Sequence, residues 1–481
     1  MPHIWTHRIR GRSGRAPPCC LENRLPQTPP IRVPYAESFR CIGSACEDTC
    51  CQGWGVPIDQ AAYEKYQSLP AGQLRTLLDD SILTMPEGAK PANFAKIRMD
   101  GSSQCPLLTA NHLCLIQLEL GEDYLSHSCA TYPRIIHSIG SIQEIALTFS
   151  CPEAARLVLL TPELQAREPL ESAAQPGHSL AGAPAAEGSP SLLSWFWPIR
   201  RVVLALVGNR SYPLWQRLFL LGVFCRRLDS ISRGELARSI PEFLGDFQAA
   251  VTSGSLKPAM EALPLDRAAQ LDVVLRLAGI LLHRSNVRPR FVECVQAFTT
   301  GIGNGPGATQ ESLADHYVQA HDRYYAPFFD RHPHILENYL ANTILRCRFP
   351  FGREGAQAYT PVSAAREYAL LTAQFALVKG FLIGVAGFHG EAFSAAHVVH
   401  TVQTTSKHFE HHPEFLDLAY ELLIESQMDG ARGLAILLRN AESKPLSPAA
   451  PEIHAPGPQD GEPSVAQAWL RSDPHRSRKS A

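Results

Sequence analysis

The sequence predicts a mainly α protein in which a small cysteine-rich metal-binding domain with a short β-hairpin precedes an all-helical domain. Three observations predict it. Eight of the thirteen cysteines fall between positions 41 and 151. Beyond residue 190, seven segments carry apolar residues at helical spacing with few strand-like alternations, and residues 134–149 carry a hairpin signal. The chain is 45% hydrophobic and 19% charged, with a net charge of −2 over 481 residues. That composition suits soluble domains whose cores need no disulfide staples. It supplies no basic face for nucleic acid or an anionic membrane, so neither partner is expected.

Residues 1–34 set Arg8, Arg10, Arg12, Arg15, Arg24 and Arg32 against one acid, Glu22, among Pro and Ser. They lack the apolar run of a secretory signal and any secondary-structure period, so a flexible N-terminal extension is expected, with no role for Cys19 and Cys20. The expected compartment is the cytoplasm, where thiols stay reduced and clustered cysteines point to metal. The cysteine-cluster domain is placed at 35–161. In it Asp59 is an N-cap for a short helix bearing Tyr63 and Tyr66. CPLLTANHLC at 105–114 turns at 110–112, bringing Cys105 and Cys114 to the base of one loop. A short helix runs through Leu120 to Gly121, and Pro133 breaks the chain after Cys129.

Segments 134–139 and 142–149 flank Gly140-Ser141 as a hairpin. Ser150 and Glu153 then form a capping box, with Cys151 in a helical first turn where the macrodipole favours a thiolate. The Pro/Ala/Gly-rich stretch 162–190 is a linker or surface loop. The helical domain occupies 191–442, with helices expected over 192–207, 214–228, 268–282, 291–298, 335–347, 364–385 and 415–424. The 364–385 segment is strongly apolar, but Arg366, Glu367, Gln374 and Lys379 interrupt it. It reads as a buried core helix and not as a membrane span. Residues 443–481 are a disordered tail.

Metal chemistry is the strongest signal. Zinc and iron–sulfur sites need about four thiolate or imidazole ligands converging from separate loops. Cys41, Cys46, Cys50 and Cys51 form one group; Cys105, Cys114 and Cys129 form another, with Cys151 beyond. A zinc ribbon repeats C-x2-C, whereas here Cys46-x3-Cys50 is followed at once by Cys51, and adjacent cysteines do not readily face one small ion. One iron–sulfur cluster with spare cysteines is the reading; a zinc stapling a small domain is the alternative. Cys225, Cys294 and Cys347 lie singly in helical patterns and belong to the core. The glycines at 301–307 follow no strand and include Pro306, so they make a poor nucleotide loop. His408, His411 and His412 fall on a polar stretch and are expected at the surface.

The blocks CIGSACEDTCCQGW (41–54), CPLL…LC (105–114), LGEDYLSHSCATYPR (120–134) and LENYLANTILRCRFPF (336–351) together resemble the flagellin lysine-N-methylase (FliB) family. The first three also resemble a wider CxxCxxCC cysteine-cluster family that chelates zinc or iron. The resemblance implies methyl transfer from S-adenosylmethionine to lysine side chains of flagellin, in a protein carrying a 4Fe–4S cluster. Such a reaction needs a neutral amine from a group whose ordinary pKa is about 10.4. Tyr132 and Tyr339 are the catalytic candidates, and Arg134, Glu337 and Asn338 the candidates for holding the methyl donor. Core packing of the tyrosines and a helix-surface place for Glu337 are the plain alternatives. No Rossmann fingerprint is present, and the C-x3-C-x2-C of a radical route is not matched, so radical and polar transfer both stay open. The competing class is a zinc- or iron-chelating module with a structural or interaction role.

Overall fold

The structure is a computed structural model that describes residues 34–86, 88–139, 142–162, 164, 192–283, 287–352, 363–412 and 414–439. The expected N-terminal extension up to residue 33, with Cys19 and Cys20, lies outside the described residues. So do the expected linker, apart from residues 162 and 164, and the expected C-terminal tail.

The cysteine-rich half begins with α1 (Pro34–Ser38), β1 (Pro57–Ile58), α2 (Gln60–Gln67), α3 (Gln73–Ser81), β2 (Ile82–Thr84) and β3 (Ala95–Ile97). The three strands form an antiparallel sheet in the order β1-β3-β2. Strands of two or three residues are too short to leave alternation in a sequence, and none was expected. Val56, Ile58, Ala62, Tyr66, Ile97, Leu107 and Ile116 close a small core of their own. Then follow α4 (Leu115–Leu120), ended by Gly121 at φ 89°, α5 (His127–Thr131), the hairpin β4 (Arg134–Ile139) and β5 (Ile142–Leu147), and α6 (Pro152–Leu160). The hairpin pairs Arg134 with Leu147 through to Ile139 with Ile142, as expected.

The capping box does not form. Cys151 is the N-cap of α6, without a side-chain cap. Ser150 instead shares hydrogen bonds with the hydroxyls of Tyr132 and Thr148 (both 3.0 Å), and Glu153 pairs with Arg156. Burial also overrides the macrodipole at Cys151, pushing its thiol up to about 12.

The second half is helical throughout, so the chain is mainly α. It runs α7 (Phe196–Gly208), α8 (Leu214–Asp229), α9 (Leu236–Ser253), α10 (Lys257–Glu261), α11 (Arg267–Leu282), α12 (Pro289–Gly301), α13 (Gln310–Ala320), α14 (Ala326–Arg331), α15 (His334–Arg346), α16 (Ala364–His389), α17 (Ala395–Glu410), α18 (Phe415–Glu425) and α19 (Ala431–Leu438). All seven expected segments are helices. Of the unexpected ones, α9 buries a regular stripe of Leu236, Ile240, Phe243, Leu244, Phe247 and Val251 that Pro241 interrupts in the sequence, whereas α17 reads AAHVVHTVQTTSKHFE and lacks a clean apolar stripe.

Helix α16 is the axis, packed against α8, α11, α12, α13, α17, α18 and α19. Among the described residues it is the one helix long and apolar enough to cross a membrane, and its apolar 18-residue stretch is wholly enclosed by protein. Its closest neighbour is α12, where a Cβ on Gly301 would stand 1.8 Å from the Gly384 carbonyl oxygen. Gly301 therefore serves helix contact, consistent with the poor nucleotide loop read from the sequence.

Lys379, near the middle of α16, is fully buried, and its Nζ donates to the carbonyls of Leu437 (2.9 Å) and Leu438 (3.1 Å) at the end of α19. Burial pushes its amine from 10.5 down to about 7. Between those two values the folded chain holds Lys379 neutral while the unfolded chain binds a proton, so stability rises with pH across the window and is flat below it. The two helix-end carbonyls favour the ammonium and temper the slope. Lys379→Met is expected to flatten the rise, which urea unfolding at pH 7, 8.5 and 10 checks; an unchanged slope in the variant assigns it to other groups.

Candidate functional site: a thiol centre docked on a polar helix

Three loops bring the cysteines together. Gly53 N donates to Ser103 O (2.9 Å) and Cys105 N to Cys51 O (2.8 Å), which lays the first cysteine loop along the second. Leu108 and Cys114 bridge across the expected turn, where His112 takes the left-handed conformation at φ 59°. Asp59 hangs the third loop in place. Its carboxylate accepts from Ala62 N (3.0 Å), capping α2 as expected, and from His127 N (2.7 Å) at the start of α5, which carries Cys129. Ser126 caps α5 by accepting from Cys129 N.

Adjacent Cys50 and Cys51 do turn to the same side, with sulfurs 3.9 Å apart, contrary to the expectation for neighbours in sequence. Their hydrogen bond lowers the Cys50 thiol and raises that of Cys51. Burial raises Cys105 to about 11 and also raises Cys114, and both feel the charge of Cys50. Cys129 keeps an exposed edge, yet protein packed around its sulfur pushes it to about 12, with Cys114, Cys50 and Cys105 adding to the rise. These five thiols form one electrostatic group. Cys151 borders it, raised by burial and by Cys46 and Cys50; burial raises Cys46 as well, with Cys41 adding to the rise, while Cys41 is exposed and accepts from Gly43 N.

The floor beneath the first cysteine loop is α17. Lys407 Nζ donates to Asp48 Oδ2 (2.9 Å) and Thr49 O (2.7 Å), and Gln403 Nε2 donates to Asp48 Oδ2 (2.9 Å) and Ser150 O (3.0 Å). Arg288 reaches Gln52 O (3.0 Å) and Asp48 Oδ1 (3.4 Å). Burial works to raise the Asp48 carboxyl, but Lys407 and Arg288 outweigh it and hold it below the usual carboxylate range. Trp54 donates to Cys50 O (2.7 Å) and stacks between Tyr132 and His411, with ring centroids at 6.1 and 5.3 Å.

The expectation that His408, His411 and His412 lie at the surface is therefore overturned. His408 is buried, stacked on Phe291 at 4.0 Å, with Nδ1 at the Thr404 carbonyl; His411 is half-buried against Trp54, and His412 packs against Phe415. A polar helix can be buried when loops bring it partners.

Of the other candidates, Tyr132 stands beside the thiols, its hydroxyl on Ser150 and its pKa raised by burial and by Cys151 and Cys50. Arg134 donates to Ala36 O (3.1 Å) and Phe39 O (3.0 Å), anchoring α1. Glu337 is gripped by Arg210 and Arg217, both at 2.7 Å. Asn338 Nδ2 donates to Val158 O (3.0 Å) and Thr161 O (2.8 Å) at the end of α6, and Tyr339 stacks on Phe149 at 5.2 Å. These last three are occupied with helix packing. The residues that sequence reasoning missed are Arg288, Gln403 and Lys407. Gln403 and Lys407 lie in a run of Thr, Gln, Ser and Lys that reads as surface, and Arg288 leaves no local mark.

Fold and site together define a mainly helical protein that seats a thiol-rich centre on a buried polar helix. Residues 200–437 match the family described as FliB lysine N-methylase C-terminal domain. The flagellar biosynthetic protein FliU of Salmonella muenchen is 31% identical over 133 residues, 27% of this chain and 78% of that protein. Lysine-N-methylases of Salmonella typhimurium strain LT2 and Salmonella choleraesuis strain SC-B67 are each 25% identical over 273 residues, 54% of this chain. The match spans 64% of the length of each lysine-N-methylase. No solved structure matches. The chain belongs to the FliB lysine N-methylase family.

Proposed function

We propose that the chain is a cytoplasmic protein-lysine methyltransferase that moves methyl groups from S-adenosylmethionine to lysine side chains of flagellin, with a 4Fe–4S cluster held by its cysteines. Family membership supports the reaction class. The observation that carries the cluster is the convergence of Cys50, Cys51, Cys105, Cys114 and Cys129 from three loops. Cys105, Cys114 and Cys129, held protonated by burial and by the charge of neighbouring thiols, are what a bound cation converts to thiolates. A single zinc needs its sulfurs about 2.3 Å from one point. Among the described residues no three Cys, His, Asp or Glu side chains are grouped to hold one metal ion. Soft thiol donors brought from three loops suit an iron–sulfur cluster, in which each iron takes its own thiolate. When bound, such a cluster supplies redox or Lewis-acidic iron beside the methyl donor.

The chain's own residues have definable work. Lys407, Gln403 and Arg288 fix the loop that carries Cys46, Cys50 and Cys51. Tyr132, kept un-ionised by burial, can accept or donate a hydrogen bond to an incoming amine but is no base at neutral pH. Its place is orientation and desolvation of the lysine, which lowers the amine's pKa toward the neutral form. The test is incubation of anaerobically purified protein with S-adenosylmethionine and flagellin from the same cell, followed by mapping of lysine mass shifts. Shifts in steps of one methyl are expected. Unmodified flagellin beside folded, iron-loaded protein would leave the chelating module as the reading.

A further inference from the structure

A cleft of about 340 Å³ opens where α6, α12 and α17 meet the first cysteine loop. That volume is at the lower end of the range for small-molecule sites, about 300–1,000 Å³. One wall is apolar, made by Pro152, Leu160 and Val399; the other carries Glu47, Arg156, Arg290 and Gln403. Arg156 is committed to the carboxylates of Glu47 and Glu153. Arg290 has no carboxylate partner among the described residues. Its Nη1 meets only the Glu47 carbonyl (3.3 Å), its Nη2 meets His400 Nδ1 (3.1 Å), and its buried Nε has no partner.

Gln403 has the complementary need. It is fully buried, and both amide hydrogens are used on Asp48 and Ser150, which fixes the orientation of the amide. Its Oε1 is left without a donor among the described residues. A buried acceptor without a donor carries an uncompensated desolvation cost, so a ligand that satisfies it binds with that advantage. One cleft thus offers a guanidinium seeking an acceptor and an amide oxygen seeking a donor. An α-amino acid, with its carboxylate and ammonium on one carbon, meets both. A lysine side chain brings an amine and no carboxylate, so it would leave Arg290 unmatched, and the substrate amine is not assigned here.

The geometry points to this cleft as the seat of the amino-acid end of S-adenosylmethionine, its carboxylate on Arg290 and its ammonium on Gln403 Oε1, with the methylene arm lying along the apolar wall and the sulfonium directed toward the cysteine loop. The assignment rests on the reading of the chain as a user of that methyl donor. The test is equilibrium binding of S-adenosylhomocysteine and of methylthioadenosine, which lacks the amino-acid end, to anaerobically purified full-length protein.

Wild type should bind S-adenosylhomocysteine more tightly. Arg290→Leu should weaken that ligand at least about tenfold, as loss of a charge-assisted hydrogen bond predicts, and leave methylthioadenosine within about twofold. Arg290→Lys, which keeps the charge but not the fork, should fall between. Unchanged melting and iron content show that the variants are intact. Equal losses for both ligands, or none, overturn the site while the methyl-donor reading stands. Failure of wild type to bind either ligand overturns both.

Discussion

Serine in place of Cys50, Cys105, Cys114 or Cys129 is expected to bleach the protein and abolish lysine methylation, whereas serine at Cys225, Cys294 or Cys347 leaves both intact. The four named first belong to the thiol group in which Cys105, Cys114 and Cys129 each feel the charge of Cys50 from a different loop. A serine hydroxyl is a hard and weakly acidic donor and does not replace a thiolate on iron. The three named last are buried in the helical core, on α8, on α12 and at the end of α15, apart from that group. There the change buries a hydroxyl and costs about 1–3 kcal/mol of stability, with no bearing on metal. Iron and sulfide content and visible absorbance of anaerobic preparations decide. Cys41 is exposed outside the group, and its serine variant should keep its colour. A fully coloured Cys129→Ser, or a bleached Cys294→Ser, would overturn the placement of the cluster.

Local elements governed by short-range rules were legible in the sequence. The Asp59 cap, the turn at 110–112, the Gly121 stop and the 134–147 hairpin each depend on a few neighbouring residues, and each appears where the pattern put it. Seven helices with a continuous apolar face were legible for the same reason, whereas α9, with Pro241 inside its apolar stripe, and the eight-residue α19 were not. Helix α17 was not, because its burial comes from partners 110 to 359 residues away, such as Asp48 for Lys407. Thr, Gln and Lys read as surface unless the loop that satisfies them is known. The cysteines declared a metal site by number and crowding, but which five converge depends on the ladder between Cys51 and Cys105 and on the second use of Asp59. Neither leaves a local mark. Ser150 shows the converse: a good capping pattern lost to the Tyr132 and Thr148 hydroxyls, which sequence proximity did not reveal.

The largest loss of stability is expected from Arg200→Met. Arg200, on α7, and Glu144, on β5, are completely buried, with Arg200 Nη2 2.8 Å from Glu144 Oε2. The same guanidinium donates to the carbonyls of Ile344 (3.0 Å) and Phe349 (2.6 Å) and lies over the Phe196 ring at 4.9 Å. It thereby ties the hairpin of the cysteine-rich half to α7 and to the end of α15. A buried pair of this kind adds little over an apolar pair, because desolvating both charges offsets their attraction. Removing one partner is a different matter. Methionine would strand the Glu144 carboxylate, whose Oε1 already lacks a partner among the described residues, and leave two carbonyls without their donor. The loss should be about 3–5 kcal/mol, a large part of the roughly 5–15 kcal/mol that holds a domain folded. Arg200→Met/Glu144→Leu removes the stranded charge and should recover much of the loss. Urea unfolding of wild type and of the single and double variants makes the comparison. A single variant within about 1 kcal/mol of wild type would mean that the pair does not hold the two halves together, and a double variant no better than the single would place the loss in the two carbonyl contacts instead.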